Sequence, residues 1–144
     1  MDTKRVTNDS SQTKKFGLEI AQKLKAGDAL LLFGDLGAGK TTFVQGLAKG
    51  LGITERILSP SFVLQRIHKV LGRDFKILNH IDLYRLEGKH DIQSLGLLET
   101  IEDPEAITII EWADRLIDFL PKQGYKIWFE YLGENKRKIK VVRI

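Results

Sequence analysis

Cysteine is absent from this 144-residue chain. Its absence excludes a disulfide framework, a thiolate metal site and a cysteine nucleophile, and it fits a reducing compartment. Proline is scarce, at three residues. No apolar run approaches the roughly 20 residues that a membrane-spanning helix needs. No secretory signal precedes the first helical pattern. These readings lead to the expectation of a cytoplasmic protein with no membrane contact. Neither sign of charge dominates: 23 Lys and Arg stand against 19 Asp and Glu, for a formal net charge of +4. So small a balance permits contact with nucleic acid or an acidic protein only as a weak field. The basic residues gather late, in Lys136-Arg137-Lys138, Lys140 and Arg143, and read as the solvated tip of a hairpin. There is no repeat, linker or low-complexity stretch. The expectation is one domain over residues 1–144, long enough for a single substantial core.

What the chain does have is a run from Gly34 to Thr42: Gly34, Asp35, Leu36, Gly37, Ala38, Gly39, Lys40, Thr41, Thr42. It fits G-x-x-x-x-G-K-[ST], the phosphate-binding loop. Glycines let backbone N–H groups turn inward around a phosphate, the lysine brings positive charge to the β- and γ-phosphates, and the threonine hydroxyl can ligate Mg²⁺. At ordinary residue frequencies a chain this short matches by chance about once in two hundred. The setting sharpens the match. Ala29-Leu30-Leu31-Leu32-Phe33 is a continuous apolar run, the pattern of a buried parallel strand. After the loop, Phe43, Val44, Leu47, Ala48 and Leu51 recur at helical spacing. The loop therefore enters a helix N-terminus, where unpaired N–H groups and the helix dipole favour an anion.

Around this unit the pattern is mixed. Ser10 and Ser11 are expected N-caps of a first amphipathic helix through Phe16, Ile20, Ala21 and Leu24, closing near Gly27. The second helix is expected to end at Gly50 or Gly52. Phe62 to Val70 and Phe75 to Asp82 read as strands joined by a turn at Leu71-Gly72-Arg73-Asp74. A helix is expected near Lys89 to Leu98. Ile107-Thr108-Ile109-Ile110 reads as a second buried strand. Trp112, Ala113, Leu116, Ile117 and Leu120 form a helical stripe stopped by Pro121. Tyr125 to Leu132 and Lys138 to Ile144 read as a terminal antiparallel hairpin. The order predicts an α/β, three-layer fold like that of P-loop NTPases, with a central parallel sheet and antiparallel additions.

A loop that hydrolyses a nucleotide needs an acid for Mg²⁺ and an aligned water. Two acids stand at strand ends, the edge where open α/β sheets bind ligands. Glu111 follows Ile107 to Ile110, and Asp82 follows Ile77 to Ile81. Either one holds the metal while the other orients water, or one of them is a plain cap or salt-bridge partner. Ser59 and Ser61 flank Pro60 in the loop after the second helix, where a hydroxyl could sense the γ-phosphate or the segment is an ordinary proline turn. Guanine recognition commonly uses Asn-Lys-x-Asp; Asn135-Lys136-Arg137-Lys138 has Lys in place of that acid, which favours adenine. His68, His80 and His90 lack metal-site spacing, but His80 shares a strand face with Asp82 and can orient the site.

Together these blocks resemble the TsaE (YjeE) family, the bacterial ATPases of threonylcarbamoyladenosine synthesis on tRNA. The matching residues are the loop from Gly34 to Thr42, Ser59-Pro60-Ser61-Phe62, His80-Ile81-Asp82-Leu83-Tyr84-Arg85-Leu86 and Glu111-Trp112, with Gly96-Leu97 and Glu99 as a weaker match. The resemblance implies binding of ATP and Mg²⁺ and slow hydrolysis, with ADP as product. It implies work beside TsaB and TsaD, with tRNA touched indirectly or weakly. It further implies that Lys40 clamps phosphate, that Thr41 and Glu111 serve Mg²⁺, that Asp82 is the essential acid near the γ-phosphate and the metal, that Trp112 lies close to the nucleotide, and that Asp9 approaches the base. Ser61 stands where the family usually has Thr, and the hydroxyl is kept. Two other readings remain: a small-molecule kinase, for which the stretch from Arg85 to Asp91 is the one possible lid, and a nucleotide-dependent binding module with negligible turnover.

Overall fold

The structure is a computed structural model that describes residues 2–35, 37–57, 64–84, 86, 96–116 and 121–144. In chain order the elements are β1 (Thr3–Thr7), α1 (Ser10–Ala21), β2 (Ala29–Phe33), α2 (Lys40–Gly50), β3 (Gln65–Lys69), β4 (Ile77–Asp82), α3 (Leu97–Ile101), β5 (Ala106–Glu111), a 3-10 turn (Ala113–Arg115), β6 (Gly124–Gly133) and β7 (Lys136–Arg143). The seven strands form one sheet in the order β1-β7-β6-β2-β5-β4-β3. Its centre is parallel: β2 pairs with β5 and β6, and β4 pairs with β5. β3, β7 and β1 are added antiparallel. This is the expected α/β architecture.

The central strands are apolar on both faces because both faces are covered. Every residue of β5 is buried, as a strand between two layers requires. On one face Leu30, Leu32, Ile107, Ile109 and Ile127 pack beneath α1 and α2. On the other, Leu31, Ile81 and Ile110 pack with Leu97 and Ile101 of α3 and with Leu116. Phe43 of α2 anchors the first layer, with its ring edge-on to Phe16 and Phe129 at 5.9 and 5.3 Å.

α1 and α2 cross with backbones almost touching. A Cβ on Gly46 would lie 2.0 Å from the Lys14 carbonyl oxygen, and one on Gly17 would lie 2.3 Å from that of Phe43. Glycine is needed there for space rather than for dihedral freedom. Gly46→Ala is therefore expected to force α1 and α2 apart and to lose at least about 1–3 kcal/mol, the usual range for overpacking. A urea melt checks this: the midpoint should fall while the slope stays constant.

Several expectations are corrected. Asp9, not Ser10 or Ser11, caps α1, and its Oδ1 accepts from the Gln12 N–H at 2.8 Å. Ser10 is already the first helical residue. α1 ends at Ala21, well before Gly27, and Leu24 is buried from the loop that follows. Of the stripe beginning at Trp112, the described residues form a 3-10 turn over Ala113–Arg115, while Ile117 and Leu120 lie outside the described residues. The helix expected near Lys89 to Leu98 falls mostly outside them too; α3 begins only at Leu97. β1 was not expected at all. Its short alternating run, Thr-Lys-Arg-Val-Thr, becomes a strand only because β7 offers an edge to pair with.

Candidate functional site

β2 ends at Phe33, and the chain turns through the glycine-rich loop into α2. Gly39 is the N-cap of α2, with φ of 101°, a conformation that residues with a Cβ rarely adopt. Among the described residues, no side chain caps the first turn of α2 and no acid lies in it. An anion would meet unpaired N–H groups and the positive end of the helix dipole. Thr41 is exposed on that first turn and Thr42 is half-buried. Ala38 is buried, and its N–H donates to the Asp35 carbonyl at 3.1 Å. Leu36 lies outside the described residues.

Lys40 is buried, at 6% exposure, yet it has no carboxylate partner among the described residues. Its Nζ donates to the Gly34 carbonyl at 2.6 Å and sits 4.7 Å from the centroid of the Trp112 ring. A buried ammonium held by one carbonyl and one aromatic face is under-neutralised. A phosphate is the group that would complete it.

The two candidate acids are neighbours. Asp82 and Glu111 are register partners at the ends of parallel β4 and β5, and Leu32 of β2 is in register with Glu111. Leu32 packs on the α1 and α2 side, so both carboxylates lie on the face of the sheet that α2 covers. Both are buried, at 4% exposure. Asp82 Oδ1 accepts from the Tyr84 N–H at 2.8 Å. Glu111 Oε2 accepts from His80 Nε2–H at 2.6 Å, which leaves His80 Nδ1 without a partner among the described residues. His80, expected to orient the site from the strand face it shares with Asp82, contacts Glu111 one strand across. No cluster of three or more His, Cys, Asp or Glu side chains able to hold a metal is found among the described residues. A divalent cation here would use one or two carboxylates and draw the rest of its shell from water and phosphate oxygens, which is the usual arrangement for Mg²⁺.

Trp112 has φ of 57°, a left-handed backbone that is a genuine outlier for a bulky side chain. The indole lies over Lys40 and against Tyr84, whose ring centroid is 4.9 Å away. Arg137 is the residue that sequence reading missed. It was grouped with a solvated basic tip, but it is half-buried and its Cγ would meet a Cβ on Gly39 at 3.3 Å. Its guanidinium lies 4.6 Å from the Tyr131 ring centroid, and its Nε has no partner among the described residues. Only the β6–β7 pairing brings it to the loop, so no local signal could have found it. Asp9 is exposed and engaged in capping α1. Ser61, with Ser59 and Pro60, lies outside the described residues, as do Arg85 and His90.

With this geometry in view, the comparisons with known proteins are specific. The profile of the family described as "Threonylcarbamoyl adenosine biosynthesis protein TsaE" matches residues 7–139. The chain belongs to the TsaE family. A TsaE-family protein of Nostoc sp. (strain PCC 7120), named tRNA threonylcarbamoyladenosine biosynthesis protein TsaE, is 42% identical over 142 residues, covering 96% of this chain and 85% of that one. The protein of the same name from Bacillus subtilis (strain 168) is 38% identical over 133 residues, covering 92% and 80%. A crystal structure of Bacillus subtilis YdiB superposes with a TM-score of 0.78 at 31% identity, covering 98% of this chain and 84% of that one. Members of the TsaE family thus carry names in tRNA threonylcarbamoyladenosine biosynthesis. The site blocks of this chain, from Gly34 to Thr42, His80 to Asp82 and Glu111-Trp112, all fall within the matched span.

Proposed function

We propose that this chain binds ATP with Mg²⁺ and hydrolyses it slowly to ADP and phosphate, as the nucleotide-driven component of tRNA threonylcarbamoyladenosine synthesis. It would act on a complex of TsaB and TsaD between turnovers, in the cytoplasm, where tRNA is modified. The observation that carries the reading is the meeting, on one face of the sheet, of an under-neutralised buried lysine, an uncapped helix N-terminus and two strand-end carboxylates.

The residues divide the work by position. Lys40 would exchange the Gly34 carbonyl for a phosphate oxygen, and N–H groups of the loop through Gly37, Ala38 and Gly39 would surround the same phosphates. Thr41 and Glu111 would hold the cation, with His80 fixing the Glu111 carboxylate from behind. Bound there, Mg²⁺ would neutralise charge between the β- and γ-phosphates. Asp82, beside Glu111, would orient the attacking water. Arg137 lies against Gly39 and Trp112 over Lys40, and exclusion of bulk water by them would strengthen each of these interactions. Ser61 would sense the γ-phosphate, and Asp9 would meet the base with the oxygen that α1 does not use.

The deciding measurement is reconstituted tRNA modification followed over many cycles, with and without this chain and ATP. The expected result is modification that stalls after about one cycle when either is withheld. Sustained modification without the chain would remove it from the pathway. ATP-dependent phosphorylation of a small acceptor would establish a kinase instead.

A further inference from the structure

Among the described residues, the half of the sheet built from β1, β7 and β6 has helices over one face only. Residues of register partners share a face, so Arg5, Ile139 and Phe129 point to α1 and α2, while the alternate set points away. That second set is Lys4 and Val6 on β1, Lys138, Lys140 and Val142 on β7, and Lys126, Trp128 and Glu130 on β6. Lys4, Lys138 and Lys140 are exposed, as is Val6 at 47% and Trp128 at 37%. Among the described residues no helix lies over them. Three exposed lysines and the half-buried Lys126 therefore share this face, and Glu130, the one carboxylate among the described strand residues on it, faces Lys138 across the strands.

This arrangement carries an energetic cost. Lys4 lies directly opposite Lys140, and like charges facing each other across an antiparallel pair are destabilising. Lysines on a sheet edge can serve to block edge-to-edge pairing, which would account for Lys4. It does not account for Lys138 and Lys140, because β7 is an interior strand with partners on both sides. The ring of Trp128 stacks on Phe33 at 5.3 Å with planes 16° apart, and Lys140 Nζ lies 5.4 Å from its centroid. Strand geometry spaces the cations at about 5 Å between strands and about 7 Å along them, a grid that a phosphodiester backbone can follow.

We infer that this open sheet face is an RNA-binding surface, separate from the nucleotide site, that contacts the sugar-phosphate backbone with Lys4, Lys126, Lys138 and Lys140 beside the aromatic ring of Trp128. RNA is favoured over an acidic protein by the choice of side chain. Every cation on the face is a lysine, the residue type depleted from protein–protein interfaces, while compact ammonium groups are well suited to phosphate contact. The inference goes beyond the ATPase reading and does not need it.

The test is fluorescence anisotropy of a fluorescein-labelled RNA stem-loop titrated with the chain over a range of salt concentrations. The variant K4Q/K126Q/K138Q/K140Q should bind at least about tenfold more weakly. Its log-affinity against log-salt slope should shrink by about 3, since each lost phosphate contact removes roughly 0.7 for single strands. ATP affinity and circular dichroism should be unchanged. K138Q/K140Q, a milder change, should shrink the slope by about 1.4. No RNA binding by the unaltered chain at physiological salt, or equal binding by the variants, would overturn the inference. So would binding of polyglutamate as tight as that of RNA and lost in the same variants, which would make this an acidic-protein surface. Failure here with modification still dependent on the chain would leave the proposed function standing.

Discussion

Lys40→Ala is expected to weaken ATP binding by about 100-fold. A hydrogen bond to a charged group contributes roughly 1.5–3 kcal/mol, and about 2.7 kcal/mol corresponds to a factor of 100. Lys40 is placed to make such bonds at little further cost. Its Nζ is already out of water, held by the Gly34 carbonyl and the Trp112 ring, so most of the desolvation is met before a ligand arrives. Alanine is a good helix former at the start of α2, and the glycine backbone of the loop does not depend on the lysine side chain. The variant should therefore fold and lose charge at one point. A calorimetric titration with ATP and Mg²⁺ reads the effect directly. Affinity equal to that of the unaltered chain would take the loop out of the site.

Asp82→Ala should separate binding from chemistry. Removal of a group that positions or deprotonates water typically lowers a rate about 10²–10⁴-fold, and that loss is expected in single-turnover phosphate release. The dissociation constant for ATP should change by less than about tenfold, because Lys40 and the α2 N-terminus supply the phosphate contacts in this reading. Asp82 also has a structural part, since its Oδ1 accepts from the Tyr84 N–H. Leaving a buried donor unpaired costs about 1–3 kcal/mol, so the alanine variant should also melt earlier. Asp82→Asn keeps a carbonyl acceptor and removes the charge. It should recover much of the stability and none of the hydrolysis. Normal phosphate release in both variants would show that Asp82 has no part in the reaction.

Glu111 and Asp82 differ in what surrounds them, and this guides the division of roles. Glu111 is braced by His80 through a 2.6 Å hydrogen bond, an arrangement that fixes a carboxylate for a cation. Asp82 accepts from the backbone of the segment that follows it, so its orientation is tied to residues 83 and 84. The two are side by side only because β4 and β5 are parallel and in register.

Much of this was legible along the chain. The strand-loop-helix unit from Ala29 to Gly50 is local: a buried apolar run, glycines where the backbone must turn, and helical spacing after it. Its geometry is decided by residues within a few positions of each other. The helix end near Gly50, the turn after Val70 and the hairpin of β6 and β7 were legible for the same reason. The cap of α1 was misassigned because Asp9, Ser10 and Ser11 all have the needed oxygen. Their order along the chain does not say which one leaves the helix.

The sequence by itself determined that a glycine-rich loop joins a buried strand to a helix, that acids stand at two strand ends and that the fold is α/β, because each follows from short-range spacing. The tertiary structure decided which of these groups meet. Strand order and register put Asp82 beside Glu111, His80 against Glu111, Trp112 over Lys40 and Arg137 against Gly39, and placed four lysines on one face over which no described helix lies. Such contacts join residues far apart in the chain, and only the sheet's hydrogen-bond pairing fixes them.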